Sequence, residues 1–242
     1  FSKGLFRVAK NTAQTFDVVA EAATEFARQG LSMEETLKRT NDALILTRLT
    51  GMKSADAVKN LTAAMNTFNK AGLSSTQVIS KMAAVDVEFA VSADDLAAAI
   101  SRTGQSASEA GVSIDQLIGV VTAAQQKTAR GGAVIGNAFK TIFTRIRRPE
   151  TLNQLEQLGI AVRDVEYNTL PAIQILNNLA ATYDHLSDAQ KSQIGQTVAG
   201  VFQINILKAA LSDASSQNSI LARATDISSR ATDEAIVKNE KL

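Results

Sequence analysis

Apolar residues recur at intervals of three or four positions along almost the whole chain, which is the spacing of one face of an α-helix. Polar and charged residues fill the positions between them. The clearest stripes are Ile114, Leu117, Ile118 and Val121; Ile135, Phe139, Ile142, Phe143 and Ile146; Val58, Leu61, Met65 and Phe68; and Ile173, Leu176, Leu179, Ala180 and Tyr183. The pattern predicts an all-α protein built from amphipathic helices.

The expected helix starts carry a serine whose hydroxyl can accept a hydrogen bond from the first turn, often with Glu or Gln three residues later to complete a capping box. Glycines suited to a left-handed helix end lie just upstream. The serines are Ser32, Ser54, Ser74, Ser92, Ser113 and Ser187, and the glycines are Gly30, Gly51, Gly72, Gly104 and Gly111. Short Gly-x-Ser joints of this kind favour antiparallel helical hairpins.

Two stretches depart from this pattern. Gly131 and Gly132 interrupt it and Pro149 ends the next helix, while apolar residues followed by Asn168 and Pro171 predict a small β-hairpin near 160–170. We divide the chain into an N-terminal helix (1–30), a helical core (31–150), an extended element with helices (151–212) and a C-terminal helix (213–242). The first and last segments are expected to continue into a longer protein.

The composition narrows the range of functions. The 25 Lys and Arg balance the 24 Asp and Glu to a formal charge of +1, so no overall charge draws the chain to nucleic acid or anionic lipid. The chain has no Cys, which excludes thiolate catalysis and cysteine-ligated metals. No run of about 18 residues lacks a charged residue, whereas a membrane-spanning helix needs such a run.

The residues that could carry catalysis are sparse. His185 stands beside Asp184 and Ser187, but side chains one and two positions apart at a helix end point in different directions, and no nucleophile elbow is present. The adjacent carboxylates at 34–35 and 94–95 lie in expected first turns, where negative charge complements the helix dipole. We therefore predict no enzymatic activity, no cofactor and no metal site.

A glycine-rich segment carries half of a phosphate-loop pattern. Gly131 and Gly136 have the right spacing, but Asn137 and Ala138 stand where the Lys and the Ser or Thr would contact phosphate and magnesium. Gly132 and Gly136 also form a G-x-x-x-G pair, which lets two helices approach closely. We favour close helix packing over nucleotide binding.

The same region has the one marked charge asymmetry in the chain. No acidic residue occurs between Asp115 and Glu150. The six cations there are Lys127, Arg130, Lys140, Arg145, Arg147 and Arg148. We favour a solvated or protein-contacting face over nucleic acid contact, because the aromatic residues of this segment belong to the apolar stripe on the opposite face and do not offer base stacking beside these cations.

Five phrases in order resemble the core region of tail tape measure proteins of long-tailed bacteriophages and prophages. They occupy residues 22–51, 91–121, 129–150, 155–164 and 186–211. One departure is local: the family usually has a glycine after the LGI-V-D phrase, where this chain has Glu166, Tyr167 and Asn168. Asn168 is expected to take the left-handed turn position there.

The resemblance implies a structural role without catalytic residues. In the family the parent chain extends inside the growing tail, sets its length while tube subunits polymerise around it, and leaves ahead of the genome. It implies assembly in the host cytoplasm, a place in the tube interior or tail tip, and contacts with tail tube proteins, tail-tip or baseplate hub proteins, tail assembly chaperones and the host membrane. A trimer or hexamer would match the symmetry of a surrounding tube.

Charge and close packing suggest which residues make these contacts. They are Gly131, Gly132, Gly136, Lys140, Arg145, Arg147 and Arg148. As a single continuous helix the 242 residues would span ~360 Å, but the repeated caps predict instead a compact segment at one end of the tail. Two alternatives remain: a membrane-active segment centred on 133–147 that aids envelope penetration, and a helical adaptor domain with no phage role.

Overall fold

A computed structural model describes residues 1–239, and all regular structure in that range is helical. The first seven helices are α1 (Ser2–Thr12), α2 (Phe16–Ala27), α3 (Met33–Thr50), α4 (Ser54–Thr67), α5 (Ser75–Glu88), α6 (Ala93–Glu109) and α7 (Ile114–Thr128). The other seven are α8 (Gly132–Ile146), α9 (Pro149–Gln157), α10 (Ala172–Tyr183), α11 (Asp188–Ile194), α12 (Ile204–Ala214), α13 (Ile220–Ser229) and α14 (Glu234–Asn239). A 3₁₀ turn (Asn69–Ala71) follows α4, and a π-helical turn (Gly195–Ala199) follows α11. The all-α prediction is confirmed.

The helices pack around one continuous hydrophobic core. α6 lies along α8 on one side and α4 on the other, while α7 packs against α13 and α12. Phe26, Phe139 and Phe143 are among its largest fully buried side chains. The protein exposes 11655 Å² of surface, close to the ~10,400 Å² expected of a compact monomer of this mass. The apolar stripes of the sequence therefore serve one shared core.

The Gly-x-Ser joints form as the sequence predicts. Ser74, Ser113 and Ser187 each complete a capping box with the Gln three residues on. Ser32 accepts from the N–H of Glu35, but the Glu35 carboxylate bonds Arg39 instead of closing the box. The glycines with the expected left-handed φ include Gly30, Gly51, Gly72 and Gly111. These ends are set by local backbone chemistry, which is why sequence alone finds them.

Two of the boundary predictions are wrong. Ser54 is the first residue of α4 rather than its N-cap, which is Lys53. Gly104 lies inside α6 instead of ending a helix: it is buried, and a Cβ there would lie 3.1 Å from Cγ2 of Thr67 on α4. The glycine is used for close approach of α4 and α6, a tertiary requirement that resembles a local terminator in the sequence.

The β-hairpin expected near 160–170 is reduced to a turn with one antiparallel bridge, between Arg163 and Thr169, and residues 1–239 contain no regular strand. Asn168 does not take the left-handed position, which Tyr167 occupies at φ 64°. The carboxylate of Asp164 explains this geometry, because it accepts from the backbone N–H groups of Glu166 and Asn168 and so fixes the turn one residue earlier.

The terminal segments each hold more than one helix. Residues 1–30 contain α1 and α2, separated where Ala13 takes a left-handed conformation at φ 53°. Beyond α12, the expected C-terminal helix is divided into α13 and α14. The last part of that prediction, residues 240–242, lies outside the described residues. The division of the chain into four segments stays a prediction.

A buried carboxylate ties α3 to the start of α5. Asp42 accepts hydrogen bonds from the hydroxyls of Ser75 at 2.5 Å and Thr76 at 3.0 Å. Burial raises the pKa of Asp42 above its ordinary value of 3.8, and the hydrogen bonds and nearby Lys38 offset only part of that rise. The folded state therefore binds this proton more tightly than the unfolded state does.

This raised pKa predicts a specific dependence of stability on pH. The contribution of Asp42 is fully present below about pH 4 and is lost as the pH rises from 3.8 through the raised pKa. Asp42→Asn, which keeps an oxygen acceptor but cannot ionise, is expected to show a smaller loss of unfolding free energy between pH 4 and pH 7. Urea unfolding at both pH values measures it. The exposed Asp56→Asn is the control, and an equal loss in all three proteins would contradict the assignment.

Candidate protein-contact surface

Helix α8 lies so close to α6 that its first glycines have no room for a side chain. A Cβ at Gly132 would overlap the backbone carbonyl of Asp95, and one at Gly136 would lie 2.9 Å from Cα of Ala99. The G-x-x-x-G pair is thus buried in a helix–helix contact within the chain. Gly131, one residue earlier, is exposed and is the N-cap of α8.

The N-terminus of α8 is capped by a side chain from another helix. Asp95 Oδ1 accepts from the N–H of Gly132 at 2.6 Å, and its Oδ2 accepts from Nε2 of Gln125 at 2.5 Å. Asp95 therefore joins the starts of α6 and α8 to the end of α7, a role that its sequence position in a first turn does not reveal. Since a carboxylate already occupies this helix end, a phosphate group there would meet repulsion.

Two of the predicted contact arginines cap other elements of the same chain. Nη1 of Arg147 donates to the carbonyl of Glu109, the last residue of α6, at 2.6 Å. Nη1 of Arg145 donates to the carbonyl of Gln196 in the π-helical turn at 3.1 Å, and its guanidinium packs against Gly200. Arg147 meets a carbonyl at the end of α6, where helix carbonyls lack an intrahelical partner, whereas the Gln196 carbonyl also accepts from the N–H of Gly200.

The remaining cations lie on the outward face of α8 and in the joint that follows it, where Arg148 is the N-cap of α9. Lys140 and Arg148 are exposed, together with Asn137, Thr144 and the partly exposed Val134. The opposite face of the helix is buried in the core. Lys140 and Arg148 are therefore the exposed cations of this region, whereas Gly132, Gly136, Arg145 and Arg147 make contacts within the chain.

Two turns of the chain expose large apolar side chains. Val201 and Phe202 form the turn between the π-helical turn and α12, and Phe202 is 87% exposed. That turn follows Gly200, on which Arg145 packs. At the tip of the 160–170 turn, Val165 is 98% exposed. Sequence reasoning missed both as contact points, although Val201 and Phe202 follow Gly200 and Val165 falls outside the helical period.

The tip of the 160–170 turn depends on an ionised side chain. The hydrogen bond from the backbone of Asn168, with further ones from its side chain and from the backbone of Glu166, lowers the pKa of Asp164 against the opposing effect of desolvation. A carboxylate that stays charged keeps accepting these bonds at neutral pH. The tip therefore presents Val165 and Tyr167 on a defined turn.

His185 and Ser187 do not form a catalytic pair. His185 is exposed in the turn after α10, and the hydroxyl of Ser187 accepts from the N–H of Gln190 as a helix cap. No cluster of three or more His, Asp or Glu side chains with metal-site geometry occurs in residues 1–239. The exposed cations and apolar side chains described above are of the kind that contact another macromolecule.

Within the described range, no single helix has both the length and the hydropathy to cross a membrane. Residues 188–199 and 204–214 meet those criteria only jointly, across a bend of 109°. The apolar face of α8, which motivated the membrane-active alternative, is buried in the fold.

Comparison with known families identifies the chain. A profile of the family described as phage-related minor tail protein matches residues 3–200, which is most of the 242 residues. The chain belongs to this family. No solved structure matches it.

Membership of the phage-related minor tail protein family assigns a structural role in the phage tail, in association with other tail components. The matched range contains α1 from its second residue, all of α2 to α11, and every predicted contact residue, from Gly131 to Arg148. Helices α12, α13 and α14 follow the matched range. The family is one of structural proteins, consistent with a surface of exposed cations and apolar points.

Proposed function

We propose that this chain is a segment of a tail tape measure protein. The parent protein templates polymerisation of the tail tube, sets the tail length and leaves ahead of the genome during ejection. The observation that carries the proposal is the family match over residues 3–200, together with the ordered phrases at 22–211 that resemble the tape measure core.

This segment is a compact part of the tape measure, seated at one end of the tail. Its longest helix, α3, has 18 residues, which is ~27 Å of rise. The part of the protein that sets the tail length must extend along the tube axis. Residues from α1 to α14 share one hydrophobic core, and this shared core opposes such extension. Flanking sequence supplies the extended part, and the tube interior or the tail tip holds the compact part.

The outward face of α8 contacts another tail component. Lys140 and Arg148 are exposed, and no acidic residue occurs between positions 116 and 149 of the sequence. The exposed Phe202 gives an apolar anchor of the kind found at protein interfaces. This combination suits an acidic surface on a tube or tail-tip protein, or on an assembly chaperone in the host cytoplasm.

Charge reversal on this face tests the proposal. Lys140→Glu with Arg148→Glu in the parent gene is expected to reduce the number of completed tails about tenfold or more, because like charges across an interface are strongly unfavourable. Completed tails are counted by electron microscopy. Arg145 and Arg147 are left unchanged, since they cap helices inside the chain.

The control reverses two exposed cations elsewhere, Lys59→Glu with Lys70→Glu. Both purified double variants are expected to unfold thermally at the same temperature as the unaltered chain. A normal number of tails from the Lys140/Arg148 variant, or an equal reduction in the control, would overturn the contact assignment.

A further inference from the structure

Helices α1 and α2 present an unpartnered surface on the side that faces away from the core. On α1 the exposed residues Lys3, Phe6, Arg7 and Lys10 are spaced as one helical face, and the opposite face, with Leu5, is buried. This basic stripe carries three positive charges with no acidic residue among positions 1–16.

Helix α2 places negative charge beside it. Asp17 and Glu21 are exposed one turn apart on the same helix face. Within residues 1–239, neither of them forms an ion pair, and neither do the three cations of the basic stripe. The hairpin therefore has a basic edge on α1 and an acidic edge on α2, and neither edge is ion-paired within the described residues.

An aromatic pair joins α1 to α2. The rings of Phe6 and Phe16 stack with their centroids 4.5 Å apart. Phe6 is 61% exposed and Phe16 is 37% exposed. Stacked aromatic rings left in water are the kind of anchor that protein interfaces bury.

We propose that this hairpin surface, defined by Lys3, Phe6, Arg7, Lys10, Phe16, Asp17 and Glu21, pairs with the same surface of a second copy of the chain about a two-fold axis. In such a pair the basic edge of α1 faces the acidic edge of the partner's α2, and the reverse contact repeats it. The two Phe6–Phe16 pairs meet near the axis. Both charge contacts and the aromatic contact are satisfied by a single partner.

The presence of both charge signs argues for a second copy over other partners. An anionic lipid surface or a nucleic acid would meet the carboxylates of Asp17 and Glu21 beside Phe16, which repel it. In a pair of identical surfaces, the basic edge on α1 and the acidic edge on α2 each meet an edge of opposite charge. This pairing does not depend on the proposed tape measure role.

Charge-swapped variants test the pairing with the chain of 242 residues. An acidic variant carries Lys3→Glu, Arg7→Glu and Lys10→Glu, and a basic variant carries Asp17→Lys and Glu21→Lys. In a two-fold pair each variant alone sets like charges against like, whereas the mixture sets opposite charges together at both contacts. The unaltered chain is expected to form a dimer in the micromolar range, weakening with added salt.

Sedimentation velocity is expected to show each variant alone as a monomer and the equimolar mixture as a dimer. Restored association in the mixture also demonstrates that both variants are folded. A monomeric unaltered chain at high micromolar concentration, a trimer, or variants that associate alone as well as the unaltered chain does would overturn the proposal. Association with anionic vesicles or single-stranded DNA, in place of dimer formation, would overturn it as well.

Engineered disulfides give a second readout, because the chain has no native cysteine. Arg7→Cys in one preparation and Glu21→Cys in another are expected to form mixed disulfides under mild oxidation. Pairing Arg7→Cys with the distant Lys59→Cys is the control. Equal cross-linking of both mixtures would mean random collision and would contradict the two-fold pair.

Discussion

Gly132→Ala is expected to lower the free energy of unfolding by about 3 kcal/mol, the upper range for overpacking a rigid contact. A Cβ at this position would overlap the backbone carbonyl of Asp95, and a backbone atom cannot rotate away as the end of a side chain can. Helices α6 and α8 would have to separate, which would also lengthen the hydrogen bond from the Gly132 N–H to Asp95. Urea unfolding of the purified chain measures the change.

Gly131→Ala is the matched control one residue away. Its φ of −65° suits any residue, and the nearest atom to an added Cβ is Asp95 Oδ1 at 3.5 Å, an ordinary contact distance. The expected loss is less than about 1 kcal/mol, the difference between Gly and Ala at an N-cap. Equal losses for the two variants would show that α6 and α8 do not approach as closely as described.

Asp115→Ala is expected to destabilise the chain by about 3 kcal/mol, because it leaves a buried ammonium without its counter-charge. Asp115 Oδ1 accepts from Nζ of Lys81 at 2.8 Å and from the hydroxyl of Ser228 at 2.6 Å. Lys81 is only 8% exposed, and its other hydrogen-bond partner is the carbonyl of Ser228. The ion pair of Lys81 and Asp115, with its hydrogen bonds to Ser228, thus connects α5, α7 and α13.

Two further variants isolate the electrostatic part of this effect. Lys81→Met combined with Asp115→Asn removes both charges while keeping an acceptor for Ser228, and is expected to recover most of the lost stability. Asp226→Ala breaks the exposed ion pair with Arg230 and is expected to change stability by less than about 0.5 kcal/mol. A loss at Asp115 no larger than that at Asp226 would contradict the structural role of the buried pair.

The parts of the fold that follow from neighbouring residues could be predicted from sequence. Ser74 and Ser113 cap helices because each bonds a backbone group three residues away, and Gly111 ends α6 through its own positive φ. Gly104 could not be assigned in the same way, because its absence of a side chain serves the approach of Thr67 from another helix. A glycine has the same appearance in the sequence whichever purpose it serves.

The candidate contact surface also has features that the sequence predicts and features that depend on distant residues. The positive charge between 115 and 150 is visible in the sequence, and so is the burial of the apolar stripe of α8. Which cations remain free is not visible, because Arg145 and Arg147 are directed to carbonyls 51 and 38 positions away. Asp95 was missed for the same reason, since the helix end that it caps begins 37 residues later.

Electron microscopy of particles whose parent gene lacks residues 1–242 in frame tests the central claim most directly. A compact tape measure segment at one end of the tail predicts that tails are absent or arrested at their starting complex. Complete tails shortened by ~360 Å would show instead that these residues are extended along the ruler. Complete tails of normal length would contradict the tape measure assignment itself.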